Sequence, residues 1–168
     1  MTDFTMMVEG SSYMFVTGPN VVKTVTNETV TAEELGGAST HSTKSGVAHT
    51  TSTNDVECLE DVKRLLSYIP QNNQEVVEDL AYELGDELRE QLNTIVPDNA
   101  NKPYDMHDVI NNVIDEDSFF EIHKNYAENI IVGFARIGGK SVGIVANNPM
   151  FLAGCLDVNS SIKSARFV

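Results

Sequence analysis

Two β-rich runs joined by a glycine pair constrain the fold of this chain more than any other feature. Ile130-Ile131-Val132 with Phe134 precede Gly138-Gly139, and Val142 with Ile144-Val145 follow it. Paired glycines between such runs supply the left-handed turn that closes an antiparallel hairpin. Asn147-Asn148-Pro149 then ends the second run. Upstream, Asp105 is placed to cap a helix, with Asp108 as the reciprocal acid and Val109, Ile110, Val113 and Ile114 facing inward. Phe119-Phe120 and Ile122 read as a short second helix, and residues 160–168 as another, with Ile162, Ala165 and Phe167 on its apolar side. A chain ending on Phe167-Val168 is unusual, since termini normally fray into solvent, and it points to a chain cut short.

The first half alternates in the same way. Residues 4–16 read as buried strands, through Phe4, Met6-Met7-Val8 and Tyr13-Met14-Phe15-Val16. Gly18-Pro19 suits a helix start, with Val21, Val22 and Val25 as its inner face. The same junction is either a plain turn or a place where outward amides meet an anion. Thr31 and Glu34 have capping-box spacing, and Gly36-Gly37 ends that helix, with left-handed termination as the expected reason. The run that follows is rich in hydroxyls: Ser39, Thr40, Ser42, Thr43 and Ser45, with His41 and His49 on either side of Gly46. It reads as a connector or as a surface segment folding over something polar. Asn54 caps a helix to Ile69, where Val56, Leu59, Val62, Leu65, Leu66 and Ile69 form a stripe expected to be core, and Pro70 stops it. Prolines and asparagines mark residues 71–103 as a joint, and residues 74–92 inside it carry leucines at helical spacing.

Chemistry is sparse. The 168 residues suit one domain or pieces of two, and 25 acids against 11 bases give a net charge of −14. Like charge opposes nucleic acid and anionic membrane as partners. No apolar run approaches a membrane span, and no signal peptide is seen. Cys58 and Cys155 lack metal spacing and read as buried thiols of a reducing compartment. His41, His49, His107 and His123 show no converging spacing, so no metal site is expected; His107 reads as helical and exposed. Asp115-Glu116-Asp117 reads as a surface helix end and turn. No nucleophile elbow, P-loop or dinucleotide fingerprint is present. Nor is there a Met-Lys-Met tripeptide, at which carrier proteins bear a prosthetic group.

Longer strings carry more. SYMFVTGPNVVKTVTNETVTAEELGGA, NDVECLEDVKRLLSYIP, DMHDVINNVIDEDSFFEIHKNYAENIIVGFARIGGKSVGIVANNP and GCLDVNSSIKSARFV together resemble the carboxyltransferase subunits of biotin-dependent acyl-CoA carboxylases, of the propionyl-CoA/methylmalonyl-CoA type. The likeness covers the chain except about residues 73–92, where the family's connector is usually proline-rich and less regular. It implies an α/β, crotonase-like (ClpP/crotonase) fold in parts of two successive carboxyltransferase domains. Residues 1–70 would be the C-terminal part of the N-terminal domain, 71–103 the connector, and 104–168 the start of the C-terminal domain.

The implied activity moves a carboxyl group between carboxybiotin and propionyl-CoA or methylmalonyl-CoA. Within the family the alternative is a subunit of a sodium-pumping methylmalonyl-CoA decarboxylase; outside it, a non-catalytic fragment keeping only CoA or subunit contacts. Family catalysis rests on main-chain N–H groups that hold developing oxyanions, from glycine pairs the resemblance places outside this chain. No catalytic residue is therefore expected here, and Gly36-Gly37 and Gly138-Gly139 are not those pairs. An acyl-CoA region is implied at residues 116–149, with Gly143, Ala146, Asn147, Asn148 and Pro149 as its substrate-binding residues, in or beside a turn that lies near the CoA in the crotonase relatives. Biotin would come on a partner chain or domain. Further implied are biotin carboxyl carrier and biotin carboxylase subunits, homo-oligomers (hexamers in full-length relatives), no membrane insertion and a cytoplasmic location.

Overall fold

Strand β1 (Met6–Val8) lies parallel to β2 (Thr50–Ser52), with Met6 opposite Thr50 and Val8 opposite Ser52. A parallel pair needs a long crossover, and this one carries three helices: α1 (Pro19–Thr26), α2 (Ala32–Gly36) and α3 (Ala38–Thr43). The computed structural model describes residues 2–82, 92–99 and 101–168. They form two units: Met1–Val62 with His123–Tyr126, and Lys63–Ile122 with Ala127–Val168.

In the first unit Met7, Ala38 and Ala48 form the core. The capping box is present: Thr31 Oγ1 accepts from the Glu34 N–H, and the Glu34 carboxylate accepts from the Thr31 N–H. Gly37 ends α2 with φ −75°, so the left-handed termination expected there does not occur. Gly36 is needed for space instead: a Cβ there would lie 2.2 Å from the Met14 carbonyl oxygen, whereas one on Gly37 would meet only the end of the Glu33 side chain. The hydroxyl-rich run is helix α3, not a connector. Thr43 Oγ1 donates to the Ser39 carbonyl at 2.8 Å, and the small side chains of Ala38 and Ser42 are the buried ones. Of residues 4–16 only Met6–Val8 is strand; Tyr13 to Val16 are exposed, attached by one bridge from Tyr13 to Gly37. Helix α1 starts on Pro19 as expected but buries no residue, and Val21 and Val25 face solvent.

Helix α4 (Asp55–Leu66) is capped by Asn54, whose Oδ1 accepts from the Glu57 N–H at 2.9 Å. Its apolar stripe is not core: Val56, Leu59 and Leu66 are exposed, and Leu65 alone is buried. The helix expected over residues 74–92 is absent from residues 74–82, residues 83–91 lie outside the described residues, and helix α5 begins at Leu92 (Leu92–Ile95). Cys58 is half-buried and Cys155 exposed, so neither is the buried thiol expected.

The second unit is built on an antiparallel sheet in the order β3 (Phe120–Ile122), β4 (Ile130–Ile137), β5 (Lys140–Asn147). The hairpin closes at Gly138 (φ +60°) and Gly139 (φ +78°), the left-handed pair its glycines predict. Asp115 clamps this turn, its two carboxylate oxygens accepting from the Gly138 and Gly139 N–H groups at 2.8 and 2.7 Å. The surface role expected for Asp115 is thereby corrected. Residues 119–122, expected as helix, supply β3, with Phe120 opposite Phe134.

Side chains alternate between the two sheet faces, as the two-residue period requires. One face joins Ile131 and Ala135 to Ile110 and Ile114 of helix α6 (Met106–Val113) and its cap, with Val142, Ile144 and Ala146 packed alongside. Asp105 caps α6 as expected, although Val113 points to solvent. The other face carries Phe134, whose ring lies 5.1 Å from Phe167 of helix α7 (Val158–Phe167) and 6.1 Å from Tyr68. On α7 the buried residues are Ser160 and Lys163, while Ile162, expected on the apolar side, is half exposed.

Candidate functional site

Strand β5 and the turn after it hold the residues singled out from sequence. Gly143 lies beneath Phe167, where a Cβ would meet the ring at 3.4 Å. Ala146 packs on the α6 face of the sheet. Asn147 Nδ2 donates to the Gly154 carbonyl at 2.8 Å. Asn148 is buried: its N–H donates to the Asn129 carbonyl at 2.9 Å, and its Oδ1 accepts from the Met150 N–H at 3.3 Å. Pro149 is half-buried beside it.

Beyond Pro149 the backbone turns through three consecutive left-handed residues: Leu152 (φ +49°), Ala153 (φ +52°) and Gly154 (φ +70°). For leucine and alanine this conformation costs on the order of 1–3 kcal/mol each and persists only when surrounding structure enforces it. Here the enforcement is polar. Gly154 and Cys155 donate to the Phe151 and Leu152 carbonyls. Asn129 Nδ2 donates to the Cys155 carbonyl at 2.7 Å. Asp157 then caps α7, exchanging bonds with Ser160, and those bonds hold its carboxyl below the usual range. Met150, Phe151, Leu152 and Leu156 present apolar side chains to solvent, and an open groove of about 570 Å³ runs along Leu156, Val158, Ile162 and Ala165.

Asn129 and Lys163 carried no sequence signal, whereas the Asp157–Ser160 spacing did. Lys163 is 2 % exposed and donates to the Ala127 carbonyl at 3.3 Å. Burial pulls its pKa down to about 8, partly offset by the charges of Glu121 and Glu128.

The histidines of residues 31–49 go to separate partners. His41 contacts the Met14 carbonyl at 2.6 Å and Ser45 Oγ at 2.7 Å. His49 Nδ1 accepts from the Thr5 N–H, and its ring lies 4.3 Å from that of His123. Both are positioned by the first unit's backbone, since His123 N–H donates to the His49 carbonyl at 2.7 Å. Among the described residues, no three or more His, Cys, Asp or Glu side chains converge as a metal site.

His107 is half-buried rather than exposed, and it bridges two carboxylates: Nδ1 to Asp105 at 2.7 Å and Nε2 to Glu121 at 3.0 Å. An ionised carboxylate only accepts, so this geometry calls for the doubly protonated ring. Burial opposes that charge, but the bonds to Asp105 and Glu121 outweigh it and raise the pKa above the ordinary 6.5. Since the folded value is the higher one, the clasp's stabilisation is complete below about pH 6.5 and is lost as pH rises through the folded pKa. The melting-temperature gap between the parent chain and His107→Gln should narrow from pH 6.5 upward. A gap independent of pH contradicts the clasp.

Comparison with known proteins gives one consistent family. The carboxyl transferase domain family matches residues 1–168. The chain is 56% identical along its whole length to the propionyl-CoA carboxylase beta chain of Roseobacter denitrificans, and 54% to the mitochondrial propionyl-CoA carboxylase beta chain of Homo sapiens. It spans 33% and 31% of those relatives, about a third of their length. A crystal structure of transcarboxylase 12S, described as a hexamer assembly with hydrolyzed methylmalonyl-coenzyme A bound, matches 99% of this chain and 33% of its own, with a TM-score of 0.94 at 43% identity.

Proposed function

The chain belongs to the carboxyl transferase domain family, and on that footing we propose that it forms part of the carboxyltransferase component of a propionyl-CoA carboxylase. That component moves a carboxyl group between carboxybiotin and propionyl-CoA/methylmalonyl-CoA. The observation that carries this reading is the 56% identity to a propionyl-CoA carboxylase beta chain, sustained over all of this chain. The relatives named so favour the carboxylase over a sodium-pumping decarboxylase.

The acyl-CoA is assigned to β5 and the turn after it, among Gly143, Ala146, Asn147, Asn148 and Pro149. Two of these bring almost no side chain, and the two asparagines spend their polar groups holding the turn. That arrangement suits recognition by shape and main chain. Loss of the α-proton puts negative charge on the thioester carbonyl, and preorganised main-chain donors stabilise it. Those donors are assigned to glycine pairs outside this segment.

Biotin supplies the activated carboxyl and rides on another chain or domain, a reading supported by the lack of a Met-Lys-Met tripeptide in these 168 residues. Biotin carboxyl carrier and biotin carboxylase subunits are the implied partners. Likeness to the transcarboxylase 12S hexamer supports a homo-oligomer. A cytoplasmic location and the division at residues 1–70, 71–103 and 104–168 belong to the same proposal; no described helix is long and apolar enough to cross a membrane.

The test is a chimaeric holoenzyme in which this segment replaces the matching third of the Roseobacter denitrificans beta chain. The expected result is ATP-dependent carboxylation of propionyl-CoA within about tenfold of the parent. A chimaera that assembles, is charged with carboxybiotin and still transfers nothing overturns the proposal.

A further inference from the structure

One buried residue holds both ends of the strained turn. Asn129, 3 % exposed at the entry to β4, accepts from the Asn148 N–H through its main-chain carbonyl and donates to the Cys155 carbonyl through its side-chain Nδ2. Its side chain also bonds the Asp157 cap of α7. Residues 148 and 155 bracket the left-handed run Leu152–Gly154, so the main chain of Asn129 sets where the loop leaves the sheet and its side-chain amide sets where it returns. Between those anchors Met150, Phe151 and Leu152 are held facing solvent. A conformation that is costly for leucine and alanine, enforced from outside the loop, with apolar side chains turned outward, is a preorganised contact surface.

We propose that Asn129 is the positioning residue for the acyl-CoA turn, and that the contact surface for the thioester's apolar arm extends past Pro149 to Met150, Phe151 and Leu152. This rests on the functional reading above. Asn129 touches no substrate itself; it acts through the loop. Misplacing a bound substrate by about 1 Å is enough to cost on the order of a hundredfold.

The chimaeric holoenzyme separates the possibilities. Asn129→Ala should raise KM for propionyl-CoA on the order of tenfold with kcat changed far less. Asn129→Asp, which keeps the shape and loses the donor to Cys155, should raise it similarly. Ser67→Ala removes the 2.7 Å bond from Ser67 Oγ to the Arg64 carbonyl elsewhere in the same unit, and should leave KM unchanged. Hydrogen exchange of residues 150–155 should quicken in the Asn129 variants and not in Ser67→Ala. An unchanged KM in both Asn129 variants, or an equal rise in Ser67→Ala, overturns the inference while leaving the functional reading standing. An inactive unsubstituted chimaera defeats that reading, and this inference with it.

Discussion

Replacing Arg136 with leucine lowers the stability of the second unit by about 3 kcal/mol or more. Arg136 is 6 % exposed and lies on the face of β4 that carries Phe134. Its guanidinium donates to the Gly139 carbonyl at 2.7 Å, the Ser67 carbonyl at 2.7 Å and the Glu78 carbonyl at 3.3 Å, and sits 5.4 Å over the Tyr68 ring. Leucine fills much of the space and satisfies none of those oxygens. The buried bond to the Gly139 carbonyl is lost at a cost of about 1–3 kcal/mol, and the charge-assisted bonds to the part-buried Ser67 and Glu78 carbonyls are lost with it, which together outweigh the gain from removing a buried charge. Lysine should rescue little, because one ammonium cannot reproduce the planar fork that reaches separate carbonyls. Urea unfolding checks this, and a loss below about 1 kcal/mol for the leucine variant would mean the three bonds contribute little.

Gly46→Ala is expected to cost about 3 kcal/mol in the first unit, from two separable causes. Gly46 sits at φ +62°, where a Cβ is penalised by about 1–2 kcal/mol. That Cβ would also lie 2.6 Å from the Tyr126 ring, closer than real contacts allow. Removing the ring should therefore remove part of the penalty: in a Tyr126→Ala background, Gly46→Ala should cost only the backbone share. Identical costs in both backgrounds would show that the ring moves aside freely. The cycle is interpretable because the two residues are in direct contact.

What could be read from the residues was what is encoded locally. The hairpin, the Thr31–Glu34 capping box, the Pro19 helix start and the Asp105 and Asn54 caps each depend on neighbours within a few positions, and all are present. Long matched strings made the crotonase-like carboxyltransferase fold legible as well, as the transcarboxylase 12S match bears out. Features decided by distant partners were misread. Helix α3 has no apolar period because its buried face is Ala38 and Ser42, small enough to sit close to the β1–β2 pair. Strand β3 is three residues long and exists through pairing with β4, so Phe119-Phe120 showed no alternation to find. The stripe on α4 has the right period and still faces solvent in the described unit. At the candidate site, the asparagines at the end of β5 stood out as a cluster that closes the strand, but Asn129 lies eighteen positions before Asn147 and acts only through the fold.

Hydrogen exchange on the chimaeric holoenzyme, with and without saturating propionyl-CoA, bears most directly on where this segment meets its substrate. Slowed exchange across residues 146–155, the end of β5 and the turn held by Asn129, is the expected footprint. Protection elsewhere in the enzyme with residues 146–155 unchanged would contradict it.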